Sequence, residues 1–189
     1  MQKLDFTLIG RSPLLMNRDE LANPLSPVTR AHKALTSGAK KTEAMHEAIA
    51  ESEWRAGMYH DENLGPYVPG LNVERSIANG ATLQKLGKKI GQAFLVVDDK
   101  IALDYDGPRD LDGLWDSGKF LDYRAVVVSR KRVYRARAKF NAWRLVCTAM
   151  FDEKLLNREA LVQAIEDAGA FFGLCDFRPR MGKFNVKVA

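Results

Sequence analysis

The 189 residues predict an α+β protein, because two hydrophobic periods alternate along the chain. Leu4, Phe6 and Leu8 alternate with Lys3, Asp5 and Thr7, the period of a strand with one buried face. Trp143, Leu145, Cys147, Ala149 and Phe151 alternate in the same way. Leu161, Ile165, Ala168 and Phe172 instead recur at steps of four, three and four, which places them on one helical face.

In chain order, a first strand over 3–9 ends at Gly10. Residues 11–41 hold Pro13, Pro24 and Pro27 without sustained periodicity and read as an irregular excursion. Residues 42–55 have high helix propensity and a narrow apolar stripe of Met45, Ala48 and Ile49. Gly57–Gly70 offers a short strand at Met58–Tyr59 and the turn-rich run GPYVPG. A helix over 71–86 is expected to bury Val73, Ile77, Leu83 and Leu86, with Gly80 as its weak point. Ala93–Val97 and Ile101–Tyr105 flank Asp98–Lys100 as a hairpin, a loop spans 106–120, and Tyr123–Val128 is β-rich. After the strand over 141–151, Asn157 is placed to cap a helix over 157–171, weakened at Gly169 and stopped at Gly173. Phe184, Val186 and Val188 alternate in a last strand. With the irregular segments set aside, the order is β-α-β-β-α-β, the ferredoxin-like (RRM-like) order. The expectation is one domain, with its core at about 1–10, 71–97, 123–129 and 141–189. A helical and irregular insertion would fill 11–70 and a β-hairpin insertion 98–139.

The formal net charge of +5 is mildly basic, which suits nucleic acid without demanding it. The N-terminus lacks the apolar core and cleavage site of a signal peptide, and no apolar run approaches membrane-spanning length, so no membrane is expected. Two cysteines in apolar surroundings, Cys147 and Cys175, read as thiols of a reducing compartment, which the cytoplasm provides.

Charge distribution says more than its sum. Arg130, Lys131, Arg132, Arg135, Arg137 and Lys139 crowd around Tyr134. On a hairpin arm, alternation puts Lys131, Arg135, Arg137 and Lys139 on one face, a positive ribbon suited to phosphates. Lys85, Lys88 and Lys89 form a second cluster after the 71–86 helix. In the connector GLCDFRPRMGKF, Arg178, Arg180 and Lys183 interleave with Phe177 and Phe184, a combination suited to backbone phosphates and base faces. Seven aspartates between Asp98 and Asp116 could hold Mg²⁺ for phosphodiester chemistry, but they match no EF-hand and aspartates are common in turns. His46-Glu47 lacks the second histidine of a zinc-protease helix, which leaves His32 as the best general acid–base candidate of a ribonuclease. The run 80–89 departs from a phosphate loop in glycine spacing and ends on Lys89 where Ser or Thr is required. No Gly-x-Ser-x-Gly or Cys-x-x-Cys occurs, so no catalytic residue, cofactor or metal is expected.

The element order together with a basic, glycine-bearing loop at Gly173–Gly182 resembles the RAMP superfamily of CRISPR effector proteins, above all the backbone subunit that polymerises along guide RNA. GLCDFRPRMGKF is also similar to uncharacterised phage-encoded proteins, which points to single-stranded DNA. The loop has two glycines, fewer than that family carries. The resemblance implies phosphate contacts from Arg178, Arg180 and Lys183, stacking or packing by Phe177, and a thumb-like hairpin within 98–139. The function expected is a largely sequence-independent coat for single-stranded DNA or RNA, contacting copies of itself head-to-tail through the Asp98–Asp116 acids, and other subunits of a nucleoprotein complex. The alternatives are a nuclease, or a phage structural protein with an acidic protein partner.

Overall fold

The computed structural model describes residues 1–38 and 40–189; residue 39, in the stretch expected to be irregular, lies outside them. Strand β1 (Gln2–Gly10) buries Leu4, Phe6 and Leu8 as the alternation requires. The expected irregular excursion is ordered, by pairing of Leu14–Leu15 with Lys139–Phe140, by burial of Leu14, Leu15 and Met16, and by local caps. It contains β2 (Leu14–Leu15), a 3-10 turn at Asp19–Ala22, and α1 (Pro27–Thr36). The Ser26 hydroxyl accepts from the Val28 amide at 3.2 Å, and Pro27 occupies the first helical position. Only Thr29 of α1 is buried, so apolar periodicity could not announce this helix. Helix α2 (Glu43–Gly57) is capped by Thr42, and β3 (His60–Asp61) and β4 (Gly65–Pro69) form a short hairpin where a turn-rich stretch was expected.

Helix α3 (Gly70–Ala81) buries Val73, Ile77 and Ala81, then breaks at a 3-10 turn that ends on Lys85 in the left-handed region. Leu83, expected inside, is therefore exposed. Helix α4 (Gly87–Ala93) leads into β5 (Phe94–Val96), and β6 (Lys100–Ala102) follows. The expected loop over 106–120 contains α5 (Leu111–Asp116), capped by Asp110, whose carboxylate accepts from the Gly113 amide at 2.7 Å. Strands β7 (Leu121–Val128) and β8 (Lys131–Phe140) form a long hairpin whose turn residues, Ser129 and Arg130, both have positive φ. This is the two-residue turn that matches strand twist. Strand β9 (Arg144–Phe151), α6 (Arg158–Asp167) with a π-helical last turn over Ala168–Phe172, and β10 (Phe184–Val188) complete the chain.

The main sheet has the order β10-β1-β9-β5, antiparallel throughout. Its inner face (Leu4, Phe6, Leu8, Leu145, Cys147, Ala149) joins Val73 and Ile77 of α3 and Leu161 and Ile165 of α6 in one hydrophobic cluster. Two expectations fail here. The segments flanking Asp98–Lys100 do not pair as a hairpin, because β5 bonds to β9 while β6 bonds to β4. The Asp99 carbonyl is held by the Gly70 amide at 3.0 Å, so the chain passes from one sheet to another. Nor does 123–129 belong to the core. It lies in β7, in a separate sheet of order β2-β8-β7, because β7 offers no continuous apolar face whereas β9 buries Leu145, Cys147, Ala149 and Phe151.

Gly80, a helix weak point by propensity, is where α3 meets α6. A β-carbon there would lie 2.2 Å from the Ala164 carbonyl oxygen and 2.5 Å from the Ala168 nitrogen. Alanine would gain up to about 1 kcal/mol of helix propensity. Backbone atoms at that distance yield only if the helices separate, at about 1–3 kcal/mol. Gly80→Ala is therefore expected to lower the melting temperature by a few degrees, roughly 2–4 °C for each kcal/mol lost; calorimetry showing a rise would refute the close contact.

Candidate nucleic-acid interface

The Gly173–Lys183 connector is a closed loop tied at its neck. The Leu174 amide donates to the Gly182 carbonyl at 2.9 Å, Gly182 to Pro13 and Asp176 to Leu15, both at 2.8 Å. The Lys183 amide donates to the Ser12 hydroxyl at 2.9 Å. Both glycines serve this neck: each has positive φ, and a β-carbon on Gly182 would lie 2.0 Å from the Leu174 oxygen. Their role is backbone against backbone within the protein, and that is why two suffice. With Leu174 buried as the anchor, Phe177, Arg178 and Arg180 project outward. Arg178, Arg180 and the half-buried Lys183 take part in no ion pair among the described residues.

The β7–β8 hairpin confirms the alternation but not the free positive ribbon. Ala136, Ala138 and Phe140 point inward, which leaves Lys131, Arg135, Arg137 and Lys139 on the other face. Arg135 pairs with Glu53 at 2.6 Å, and the same carboxylate accepts the Ala136 amide on the open edge of β8. Arg137 is largely buried, with its Nε 3.0 Å from Asp176 Oδ2. These two cations are neutralised because α2 and the C-terminal loop pack against that face. Lys139 is half-buried where β8 pairs with β2. Arg130, Lys131 and Arg132 stay exposed at the tip without ion pairs among the described residues. Tyr134 is exposed on the opposite face, its ring 5.1 Å from that of Tyr123.

The fold brings hairpin and loop together although they lie some forty positions apart. Besides the Arg137–Asp176 pair, the Arg124 guanidinium sits 5.2 Å from the centre of the Phe177 ring while its Nε donates to Asp122 at 2.6 Å. Three adjoining concavities follow this junction. One of 400 Å³ lies between the Arg135 face of β8 and residues 17–22. It shares Asn17 with a polar pocket of 140 Å³ walled by Tyr59, Asn72, Arg75 and Arg178. That pocket shares Cys175, Asp176 and Arg178 with a third of 590 Å³, walled by Phe171, Phe172 and Phe177. Lys88 and Lys89 are not part of this groove. They sit on α4, past the C-terminal end of α3, which lies about 14 Å of helix from Asn72 in its first turn.

Asn17, Tyr59, Asn72 and Arg75 were not singled out by the sequence. A signal existed for part of the set: Asn72, Arg75 and Asn79 fall at i, i+3 and i+7, one polar helical face.

The acidic stretch is dispersed. Asp104 pairs with Arg144 at 2.5 Å, Asp112 with Arg55 at 2.7 Å, and Asp110 caps α5. Among the described residues no group of three or more His, Cys, Asp or Glu side chains is placed to hold a metal ion, and no helix is long and apolar enough to cross a membrane. His32 is bonded to the Ser52 hydroxyl at 3.1 Å between α1 and α2, and burial holds its pKa below the ordinary value. Burial likewise pushes the Cys147 and Cys175 thiols up to about 12. Cys147, fully buried in the main sheet, should resist a thiol-reactive disulfide at pH 8 in the native protein and react at once in denaturant; rapid native labelling of Cys147 would show the sheet to open.

No protein-family model matches the chain, and no curated protein matches it either.

Proposed function

We infer that the chain binds single-stranded nucleic acid largely independently of sequence and coats it in several copies. The main sheet supports a ferredoxin-like core: relabelled by core position, β10-β1-β9-β5 runs 4-1-3-2, with α3 and α6 as the two crossover helices. In this reading residues 11–70 and the β7–β8 hairpin are insertions into that core, as the resemblance to RAMP backbone subunits implies. The observation that carries the function is the groove itself. It joins hairpin and loop and sets Arg178 beside Phe171 and Phe177, while Arg130 and Lys131 at the hairpin tip and Arg180 in the loop are exposed and take part in no ion pair among the described residues. Phosphates would be neutralised along the track and bases stacked on the exposed rings.

In this reading the next copy docks on an acidic groove. Glu43, Glu47, Glu51 and Asp116 line a groove of 780 Å³ between α2 and the base of the hairpin, with Trp115 and Tyr123 as apolar walls. The Arg132–Tyr134 face of another copy's hairpin is complementary to it in charge and in apolar character. A head-to-tail contact whose rotation does not close extends into an open filament. In this reading the acidic partner surface is built by α2 together with Asp116, the last residue of the Asp98–Asp116 stretch.

Fluorescence anisotropy with labelled single-stranded DNA, single-stranded RNA and duplex at two salt concentrations tests the reading. Affinity should rise with strand length and fall with salt, by about 0.7 in logarithmic slope for each phosphate contact. The tighter of the two single strands names the natural polymer. Absence of binding at low salt, or equal binding of duplex, would sink the reading and leave the basic surfaces to an acidic protein partner.

A further inference from the structure

The β7–β8 arm has two edges, and only one of them is covered. The Lys139 amide donates to the Phe120 carbonyl at 2.9 Å, which fixes the phase of the ladder. Bonded pairs then recur at every second position, from Asp122–Arg137 to Val128–Lys131, and the residues between them turn their amides and carbonyls outward. On β8 that outer edge is blocked. The Ala136 amide donates to Glu53 at 3.0 Å, and the Ala138 carbonyl accepts from the Met16 amide at 2.9 Å. On β7 the outward groups belong to Tyr123, Ala125 and Val127, and no strand pairs with them among the described residues.

Edge strands are ordinarily blunted by lysine, proline, a bulge or a covering segment. Strand β7 has no lysine, proline or bulge, and its one cation, Arg124, lies on the other face, committed to Asp122. The face shared by the three outward residues is open, with Val127 70% and Tyr123 51% exposed. A two-fold axis through Ala125 makes this edge its own complement. Antiparallel pairing with a second copy sets Tyr123 opposite Val127 twice, a favourable pair of an aromatic and a β-branched side chain. Arg124 then faces Val126, so no like charges meet. Charge supports the same register. Ser129 of each copy falls opposite Leu121 of the other, which carries the cationic tip (Arg130, Lys131, Arg132) to the base of the other arm. There Glu47, Glu51 and Asp116 line the groove walled by Leu121 and Tyr123.

We propose that two copies of the chain join their β7 strands antiparallel about Ala125, merging the two arms into one continuous sheet in the nucleic-acid-free protein. The contact is isologous, so it stops at two copies. It occupies the acidic groove of both and leaves none for head-to-tail growth, so this dimer must open before a filament forms. The inference is drawn from the arm alone and does not depend on the single-strand reading.

Light scattering coupled to size exclusion, without nucleic acid and over a dilution series, should return twice the 21.2 kDa chain mass. Ala125→Pro removes an outward amide from each copy, leaves the β7–β8 bonds intact, and should weaken the dimer roughly tenfold or more. Ala125→Lys sets like charges across the axis without altering the backbone and should do the same, which separates the edge from any effect of proline on the hairpin. Ala125→Cys should cross-link to its counterpart under mild oxidation, because bonded antiparallel pairs place their Cα atoms about 5.5 Å apart, within disulfide reach. Tyr134→Cys, three strand spacings or roughly 14 Å from its counterpart, should not cross-link, and the wild-type protein supplies the blank for Cys147 and Cys175. A monomer at every concentration overturns the proposal. So does a dimer that survives both Ala125→Pro and Ala125→Lys, or the absence of the cross-link at position 125. A mass that keeps growing beyond two copies overturns it in favour of the open filament.

Discussion

Replacing Arg178 and Arg180 together by alanine is expected to weaken single-strand binding roughly 30- to 140-fold at low salt. That is the loss of two charge-assisted contacts at about 1–1.5 kcal/mol each. The logarithmic salt slope should shrink by about 1.4, since each phosphate contact contributes about 0.7. Both side chains are exposed and unpaired, so their removal leaves no buried charge behind and the melting temperature should stay within a degree or two. Two comparison variants give the result its meaning. Lys88→Ala with Lys89→Ala removes the same charge from a surface outside the groove and should leave the slope unchanged. Arg137→Ala should act mainly on stability, because it strips Asp176 of the one ion-pair partner it has among the described residues. Equal losses from the Arg178/Arg180 and Lys88/Lys89 variants would show that net charge alone governs binding, and the groove would lose its claim.

Trp54→Ala should destabilise the protein by roughly 3–5 kcal/mol, the range for deleting a buried large aromatic side chain. Trp54 is fully buried where α2 meets the base of the hairpin, with its ring 5.3 Å from that of Trp115. Its indole Nε1 donates to the Phe120 carbonyl at 2.9 Å. That carbonyl also accepts from the Lys139 amide at 2.9 Å, so it keeps a partner when the indole is gone. Trp54→Phe should therefore lose packing without orphaning an acceptor, at about 1–2 kcal/mol. Denaturant titration gives the two values. Hydrogen exchange should place the loss of protection in α2, α5 and the β7–β8 hairpin, with the β1–β9 pairing spared. Equal costs for the two variants, or protection lost first in the main sheet, would mean that Trp54 does not fasten the insertion to the core. Since Glu53 and Arg135 meet at the same junction, Trp54→Ala should also loosen the hairpin face that forms one wall of the groove.

Long, strongly periodic segments were legible in the sequence. The alternation of Leu4–Phe6–Leu8 and of Leu145–Cys147–Ala149–Phe151, and the helical spacing of Leu161–Ile165–Ala168, each set an element and its buried face within a short stretch of chain. The cap at Asn157 works over three residues, and the connector's exposed Phe177, Arg178 and Arg180 follow from its composition. Such features depend on interactions between near neighbours, which a sequence displays directly. Strand partners do not. Strands β5 and β6 are three residues each and join different sheets, a choice made by the amides of Gly70 and Val97 and the carbonyls they find. The availability of a cation for phosphate is likewise non-local: Arg135 and Arg137 look like Arg178 and Arg180 in the chain, yet Glu53 and Asp176 neutralise the first pair and, among the described residues, no carboxylate pairs with the second. The polar pocket draws Asn17, Tyr59, Asn72 and Arg178 from four separate parts of the chain. Periodicity and propensity therefore determined which segments are strands or helices and where positive charge gathers. Only the tertiary structure decided which charges remain free and which side chains share a wall, because Coulomb pairing and hydrogen bonding depend on distances in space that chain position does not specify.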